Sequence, residues 1–100
     1  MNMTITPEAR HAIADWLERD PARPVLRLSF AGGCGALGYR LTLAPEGPHQ
    51  GEHVLSVDGL TVYADFKAAT DLDGARIDIG DSPDDIVVVH KDGVVGGFCE

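Results

Sequence analysis

The sequence predicts an α+β fold, a compact β-rich domain with an N-terminal helix, mostly antiparallel strands and one short further helix. Apolar residues recur at the helical period of about 3.6 most clearly near the start of the chain, and from Val25 onward they alternate with a period of two. The predicted strands follow one another through short turns, which implies antiparallel pairing. A chain of 100 residues has room for one hydrophobic core, so we expect a single domain over residues 1–100.

The N-terminal helix is predicted to begin at Pro7 and to end before Asp20-Pro21. Thr6 offers a hydroxyl at the N-cap position, Pro7 suits the first helical position, and Glu8 complements the positive end of the helix dipole. The residue before a proline disfavours helical backbone, which places the end of the helix. The predicted apolar face consists of Ala9, Ile13, Trp16 and Leu17.

Six strands and a second helix are predicted in the rest of the chain. The strands are Val25–Phe30, Tyr39–Leu43, His53–Val57, Leu60–Tyr63, Ala75–Ile79 and Ile86–His90. The dipeptide Asp58-Gly59 predicts a hairpin turn. The segment from Asp65 to Leu72 predicts a short helix with Asp65 as its cap. From about residue 91 the chain is rich in glycine, and we expect a flexible C-terminal tail.

The charge of the chain argues against nucleic acid as a partner. Eight basic and 16 acidic residues give a net charge of −8, whereas nucleic-acid binding depends on neutralising phosphates with Lys and Arg. The sequence also lacks a signal-peptide pattern and an apolar run of the roughly 20 residues that a membrane-spanning helix needs. We therefore expect a cytoplasmic protein that binds neither nucleic acid nor membrane, with its two cysteines free or metal-bound.

A glycine-rich segment surrounds the first cysteine. Residues 33–38 match the pattern G-x-G-x-x-G and follow a predicted strand. A dinucleotide site also requires a helix that begins within the motif, because the helix N-terminus holds the pyrophosphate. The residues after Gly38 alternate as a strand as far as Pro45, so we predict no nucleotide site here.

The two cysteines, Cys34 and Cys99, are the strongest candidates for chemistry. Glycines on both sides of Cys34 keep bulk away from its sulfur, and successive backbone N–H groups in such a turn favour the thiolate. The alternative for Cys34 is a small apolar residue that fills a tight turn. Cys99 follows Gly96-Gly97-Phe98 and is either a mobile thiol that can reach a metal or another sulfur, or an incidental exposed cysteine.

Other polar residues give weaker signals. The four histidines (His11, His49, His53 and His90) show no zinc-binding spacing, and no C-x-x-C is present. His90 lies near the tail and is either a spare ligand or a solvated strand end. The acidic stretch from Asp71 to Asp85 departs from the calcium-loop pattern, and turns explain it. The aromatic residues Phe30 and Tyr39 are expected to pack in the core.

Several segments together resemble one known family, the A-type iron–sulfur carriers (HesB/IscA-like). The segments are Ile5-Thr6-Pro7-Glu8-Ala9, Leu26-Arg27-Leu28, Gly33-Cys34-Gly35-Ala36-Leu37-Gly38-Tyr39, Gly59-Leu60-Thr61-Val62-Tyr63-Ala64-Asp65 and Leu72-Asp73-Gly74-Ala75-Arg76-Ile77-Asp78. Such proteins carry a glycine-flanked loop cysteine, a Leu-Asp-Gly-x-x-Ile-Asp stretch and a C-terminal Cys-Gly-Cys in this order. The resemblance spans most of the chain.

The resemblance implies a HesB-like fold and a role in metal handling. It implies a homodimer that is not an enzyme but a carrier or scaffold, which binds iron or a [2Fe–2S] or [4Fe–4S] cluster and delivers it to apoprotein recipients. Cys34 takes the place of the family's loop cysteine, and Cys99 takes the place of one of its two tail cysteines. These two residues are therefore the implied ligands.

Two departures from the family pattern keep other functions open. Gly35-Ala36 stands where the family has Ser-Gly, and the tail has one cysteine where the family has two. Iron–sulfur clusters typically take four thiolates, so a dimer, or an external thiol such as glutathione, would have to complete the set. The alternatives are an interaction or adaptor protein of the same fold that binds no metal, and a thiol–disulfide switch between Cys34 and Cys99.

Overall fold

The structure is a computed structural model that describes residues 2–30, 38–45, 47, 50–82, 85–91 and 93–98. These residues form eight strands and two helices, which confirms the predicted α+β class. The elements are β1 (Met3–Ile5), α1 (Pro7–Arg19), β2 (Val25–Phe30), β3 (Tyr39–Ala44), β4 (His53–Val57), β5 (Leu60–Ala64), α2 (Phe66–Asp71), β6 (Ala75–Ile79), β7 (Ile86–His90) and β8 (Gly93–Phe98). Within these residues, neither helix has the length and apolar character needed to cross a membrane.

All eight strands belong to one sheet that nearly closes into a barrel. The strand order is β1-β6-β7-β8-β3-β2-β5-β4, and the two edge strands, β1 and β4, approach each other. Neighbouring strands are antiparallel in the pairs β2–β3, β4–β5, β6–β7 and β7–β8, so the expectation of mostly antiparallel pairing is confirmed. The parallel pairs are β1–β6, β2–β5 and β3–β8.

Helix α1 has the ends that its sequence predicts. The Thr6 hydroxyl accepts a hydrogen bond from the N–H of Ala9 at 3.3 Å, and Asp20 forms the C-cap. Ala9 and Ile13 are fully buried in the core, and Trp16 packs against its edge. The core itself is made of the inward-facing side chains of the strands, such as Leu26, Leu28 and Leu41 of β2 and β3.

The largest difference from the sequence-based expectation concerns the C-terminal segment. A tail was predicted from about residue 91, but Gly93–Phe98 form β8, which lies inside the sheet between β7 and β3. The glycines of this segment prevented its prediction as a strand, because glycine is rare in strands. At Gly96, however, it is required: an added Cβ would lie 2.8 Å from Tyr39 Cβ and 2.9 Å from the Tyr39 carbonyl carbon.

We predict that Gly96→Ala destabilises the protein by about 1–3 kcal/mol, because the new methyl group overpacks the contact between β8 and β3. Equilibrium unfolding in urea measures this loss. Gly93→Ala is the matched control, since it lies in the same strand and a Cβ there would meet nothing within 4 Å. Equal unfolding midpoints for the two variants would contradict the close approach at Gly96.

Candidate functional site

Both cysteines that the sequence singles out, Cys34 and Cys99, lie outside the described residues, as does His49. The residues that hold their segments are described. Phe30 and Gly38 flank residues 31–37, and Phe98 directly precedes Cys99. The described part of the candidate site therefore consists of the residues next to these two segments, which we call the attachment points.

The first attachment point is a group of side chains that we call the loop-base cluster: Phe30, Tyr39, Asp65, Lys67 and Asp71. Strands β2 and β3 remain paired up to Phe30 and Tyr39, which are opposite each other across the hairpin. Their rings meet edge to face with centroids 5.1 Å apart. The two strand ends are thus held together where residues 31–37 leave and rejoin the sheet.

Asp65 fixes the end of β2 to α2. One carboxylate oxygen accepts a hydrogen bond from the N–H of Ala68 at 2.7 Å and caps α2, as predicted. The other oxygen accepts from the N–H of Phe30 at 2.9 Å. A single carboxylate therefore satisfies a helix N-terminus and the last residue of a strand. No local pattern in the sequence indicates this second contact.

Gly38 explains the last glycine of the G-x-G-x-x-G pattern without a nucleotide. Its φ is +96°, a left-handed backbone conformation that favours glycine. A Cβ at this position would also lie 3.2 Å from Cε1 of Phe30. The residues that follow form β3 and not a helix, which confirms the strand predicted after Gly38.

Tyr39, Lys67 and Asp71 share one polar contact. The Tyr39 hydroxyl donates to Asp71 Oδ2 at 2.7 Å, and Lys67 Nζ lies 2.8 Å from the same oxygen. Burial and the hydrogen bond to Asp71 raise the pKa of Tyr39 to about 12. The hydrogen bonds from Lys67 and Tyr39 lower the pKa of Asp71 below its ordinary value. At neutral pH the cluster therefore contains a protonated phenol and an ionised carboxylate.

His90, the candidate spare ligand, is the last residue of β7. Its Nδ1 is buried and has no hydrogen-bond partner among the described residues. Its charge contributes to the lowering of the pKa of Asp71, after the larger effects of Lys67 and Tyr39. Within the described ranges, no three His, Asp, Glu or Cys side chains are grouped closely enough to hold a metal ion.

Phe30 departs from its predicted place in the core. It is 49% exposed, and nearby Phe66, the first residue of α2, is 70% exposed. Phe30 shares the inward face of β2 with Leu26 and Leu28, but it lies at the end of the strand, beyond the core. Its ring is covered in part by Tyr39 and by Lys67, whose Nζ lies 4.9 Å from the ring centroid. Tyr39 does pack against the core, as predicted.

The second attachment point is Phe98, which pairs with Leu41 in the middle of β3. The Phe98 ring packs on Trp16 of α1 with centroids 4.5 Å apart. Beside them is an open cleft of about 220 Å³, which we call the tail cleft. It is lined by Trp16, Arg19, Asp20, Arg23, Leu43 and Phe98.

The two attachment points are separated along β3. Three residues lead from Gly38 to Leu41, which corresponds to about 10 Å at the strand rise of about 3.3 Å per residue. Because β3 and β8 are parallel, β8 runs away from the loop-base cluster as it approaches Phe98. The segments that carry Cys34 and Cys99 are therefore anchored at different places on the sheet.

We predict that Asp65→Ala lowers the free energy of unfolding by about 1–3 kcal/mol, because it removes a helix cap and leaves the Phe30 N–H without its acceptor. Urea unfolding measures the effect, and amide hydrogen exchange at Phe30 localises it. Asp81→Ala is the control, because Asp81 is exposed in a turn and such substitutions usually change stability by less than about 0.5 kcal/mol. Similar losses in both variants would contradict the proposed anchoring.

We predict that the Tyr39 phenol titrates near pH 12 and not near its ordinary value of 10.0. The folded chain holds this proton more tightly than the unfolded chain, so the associated stability is present below pH 10 and is lost as the pH rises toward 12. Ultraviolet absorption of the phenolate in a Tyr63→Phe background reports Tyr39 alone. Asp71→Asn should lower the midpoint, and an unchanged midpoint would contradict the contact.

Comparison with known proteins identifies the family. The sequence pattern of the iron-sulphur cluster biosynthesis family matches residues 1–100. The crystal structure of Escherichia coli SufA, involved in biosynthesis of iron–sulfur clusters, is similar in fold, with a TM-score of 0.67, 23% identity, and coverage of 91% of this chain and 80% of that chain. A crystal structure of IscA with the [2Fe–2S] cluster gives a TM-score of 0.65 and 24% identity, covering 89% of this chain and 85% of that one. No curated protein sequence matches the chain. The resemblance found in the sequence is confirmed: the chain belongs to the iron–sulphur cluster biosynthesis family, and its role is in iron–sulfur cluster assembly.

Proposed function

We propose that the chain is a carrier, not an enzyme, which holds iron or an iron–sulfur cluster as cargo on Cys34 and Cys99 and delivers it to apoprotein recipients. The observation that carries this proposal is the family match over residues 1–100, which includes both cysteines. Thiolate sulfur is the ligand that such clusters take from proteins. Cys34 and Cys99 are the two thiols that the chain offers.

The number of thiols supports a homodimer as the carrier. A cluster typically takes four thiolates, and each chain has two cysteines. Two copies related by a two-fold axis would supply two loop thiols and two tail thiols to one cargo.

Apolar side chains beside the loop support contact with another protein at this place. Phe30 and Phe66 are large, exposed and close to the point where residues 31–37 leave the sheet. Exposed aromatic surface next to a functional segment is typical of an interaction site. We infer that this surface meets the second copy in the loaded dimer and becomes accessible to the recipient when the cargo is released.

The chemistry of the loop-base cluster supports thiolates, and not the nearby phenol, as the ligands. The Tyr39 hydroxyl, like an ordinary phenol, is protonated at neutral pH, and it donates its proton to Asp71. A protonated phenol is a poor ligand for iron. His90, with its buried Nδ1, is the neighbouring group that can be tested as a further ligand.

We predict that anaerobic reconstitution of the wild-type chain with iron and sulfide gives visible charge-transfer bands, which are lost in Cys34→Ser and in Cys99→Ser. A cluster shared by a dimer corresponds to about one iron per chain for [2Fe–2S] and about two for [4Fe–4S]. Metal and sulfide analysis combined with the mass of the loaded species in solution measures this ratio. Transfer to an apo-ferredoxin tests delivery.

Two controls make the result decisive. Far-ultraviolet circular dichroism establishes that the serine variants are folded. His90→Asn tests the spare-ligand role, with His53→Asn, on the exposed face of β4, as its matched control. Bands that survive in both serine variants, or a colourless wild-type protein, would overturn the carrier proposal and favour an adaptor of the same fold.

A further inference from the structure

Arg40 differs from the other arginines of the chain in its charge partners. The other five each lie within 3.3 Å of a carboxylate oxygen: Arg10, Arg19, Arg23, Arg27 and Arg76. Within the described residues, Arg40 forms no such ion pair, and its buried Nε has no hydrogen-bond partner. Native proteins satisfy nearly all buried donors with protein groups, water or ions. An uncompensated guanidinium on a chain of net charge −8 therefore indicates an acceptor from solution.

Arg40 lies on the outer face of the sheet, because its two chain neighbours pack in the core. It is flanked across the strands by two small residues, Ser29 of β2 and Gly97 of β8. Among the described atoms, a Cβ at Gly97 would meet only the Ile86 carbonyl oxygen within 4 Å, at 3.4 Å. The space over Gly97, between Arg40 and Val87, thus has room for a small group, and we call it the Gly97 notch.

The neighbouring arginine shows how this face of the sheet holds an anion. Arg27 lies diagonally from Arg40 on the same outer face, one strand away and two residues along. Its Nε and Nη2 donate to the two oxygens of Glu52 at 2.8 and 3.3 Å, and the Glu52 side chain is only 6% exposed. A pair of oxygens on one edge of the guanidinium is therefore accommodated here, and the same edge of Arg40 includes the unpartnered Nε.

The described carboxylates closest to Arg40 along the sheet have partners of their own. Asp65, next to the end of β2, accepts from two backbone N–H groups. Asp78 lies in the same row of the sheet, three strands from Arg40, and is paired with Arg76. Three strand spacings of about 4.8 Å correspond to about 14 Å along the sheet. Neither carboxylate therefore supplies the acceptor that Arg40 lacks.

We propose that Arg40 and the Gly97 notch form a site for a small tetrahedral oxyanion, with inorganic phosphate as the probe. The guanidinium edge holds two oxygens, as Arg27 holds Glu52, and the Ser29 hydroxyl donates to a third. A planar carboxylate has no third oxygen, and the burial of Nε leaves little room for a larger molecule. Neither cysteine takes part, so the inference does not rest on the carrier function.

Binding is measured on the intact apo protein by NMR of the arginine Nε–H groups during phosphate titration, with the ionic strength held constant by chloride. The Arg40 signal, identified by its loss in Arg40→Lys, should shift saturably, because the oxyanion supplies its missing acceptor. The Arg76 signal should stay unchanged, because its Nε already donates to Asp78 at 3.1 Å. No saturable shift at Arg40, an equal shift at both arginines, or the same shift with chloride alone would overturn the inference.

Variants separate the guanidinium from the notch. Thermal unfolding with and without phosphate measures binding, because a ligand of the folded state raises the Tm. Arg40→Lys keeps the charge but loses the planar fork, so it should weaken phosphate binding at least about tenfold. Gly97→Val removes no donor and introduces a good strand former, and it should weaken binding by filling the notch. Arg76→Gln is the matched control.

Wild-type affinity in either site variant, or an equal loss in Arg76→Gln, would overturn the site. The NMR titration of the wild-type chain tests the same contact without any substitution, so it stands even where a variant does not fold.

The class of anion is tested with sulfate, acetate and glycerol phosphate. Sulfate should bind like phosphate, acetate more weakly because it has no third oxygen for Ser29, and glycerol phosphate more weakly because of its bulk. Ser29→Ala should remove the preference for phosphate over acetate. Tighter binding of acetate or glycerol phosphate than of phosphate, or a preference that survives in Ser29→Ala, would overturn the assignment to a free tetrahedral ion.

Discussion

The parallel pairing of β3 with β8 joins two four-stranded halves of the sheet, β1-β6-β7-β8 and β3-β2-β5-β4. This contact requires Gly96, because the backbone of Tyr39 occupies the space that any side chain there would need. Its register also places the described residues next to the two cysteine-bearing segments: Tyr39, which follows Gly38, is opposite Gly96, and Leu41 is opposite Phe98. One backbone contact thus joins the two halves of the sheet and sets the positions of Tyr39 and Phe98 relative to each other.

The charged side chains near the two attachment points are paired in different ways. At the loop-base cluster, Asp71 accepts from Lys67 and from Tyr39, so the ionised carboxylate is compensated and the phenol remains protonated. At the tail cleft, each arginine is paired with an aspartate but retains N–H donors. The first arrangement holds a strand hairpin in place with its own side chains. The second is a set of partly exposed ion pairs at the end of α1 and just after it.

The sequence predicted most elements because local signals agreed with the final structure. Thr6 and Asp65 cap their helices, and the alternating segments after Val25 are strands. It did not predict β8, because Gly96 and Gly97 weaken the local strand signal and only the distant Tyr39 explains the need for a glycine. The tail cleft and the second contact of Asp65 could not be predicted either, since they depend on the register between segments far apart in the chain. Cys34 and Cys99 were singled out by spacing and resemblance, and they lie outside the described residues.

The central position of β8 has a consequence for synthesis of the protein. Strand β8 follows all other strands in the chain, so during translation the edge of β3 emerges from the ribosome long before its partner exists. An unpaired strand edge is a site at which chains pair with one another, and contacts between segments distant in sequence form slowly. Newly made chains therefore expose this edge until the last strand is inserted. Strand β8, the most glycine-rich strand in the sheet, thus protects the edge of β3 against aggregation once it is inserted.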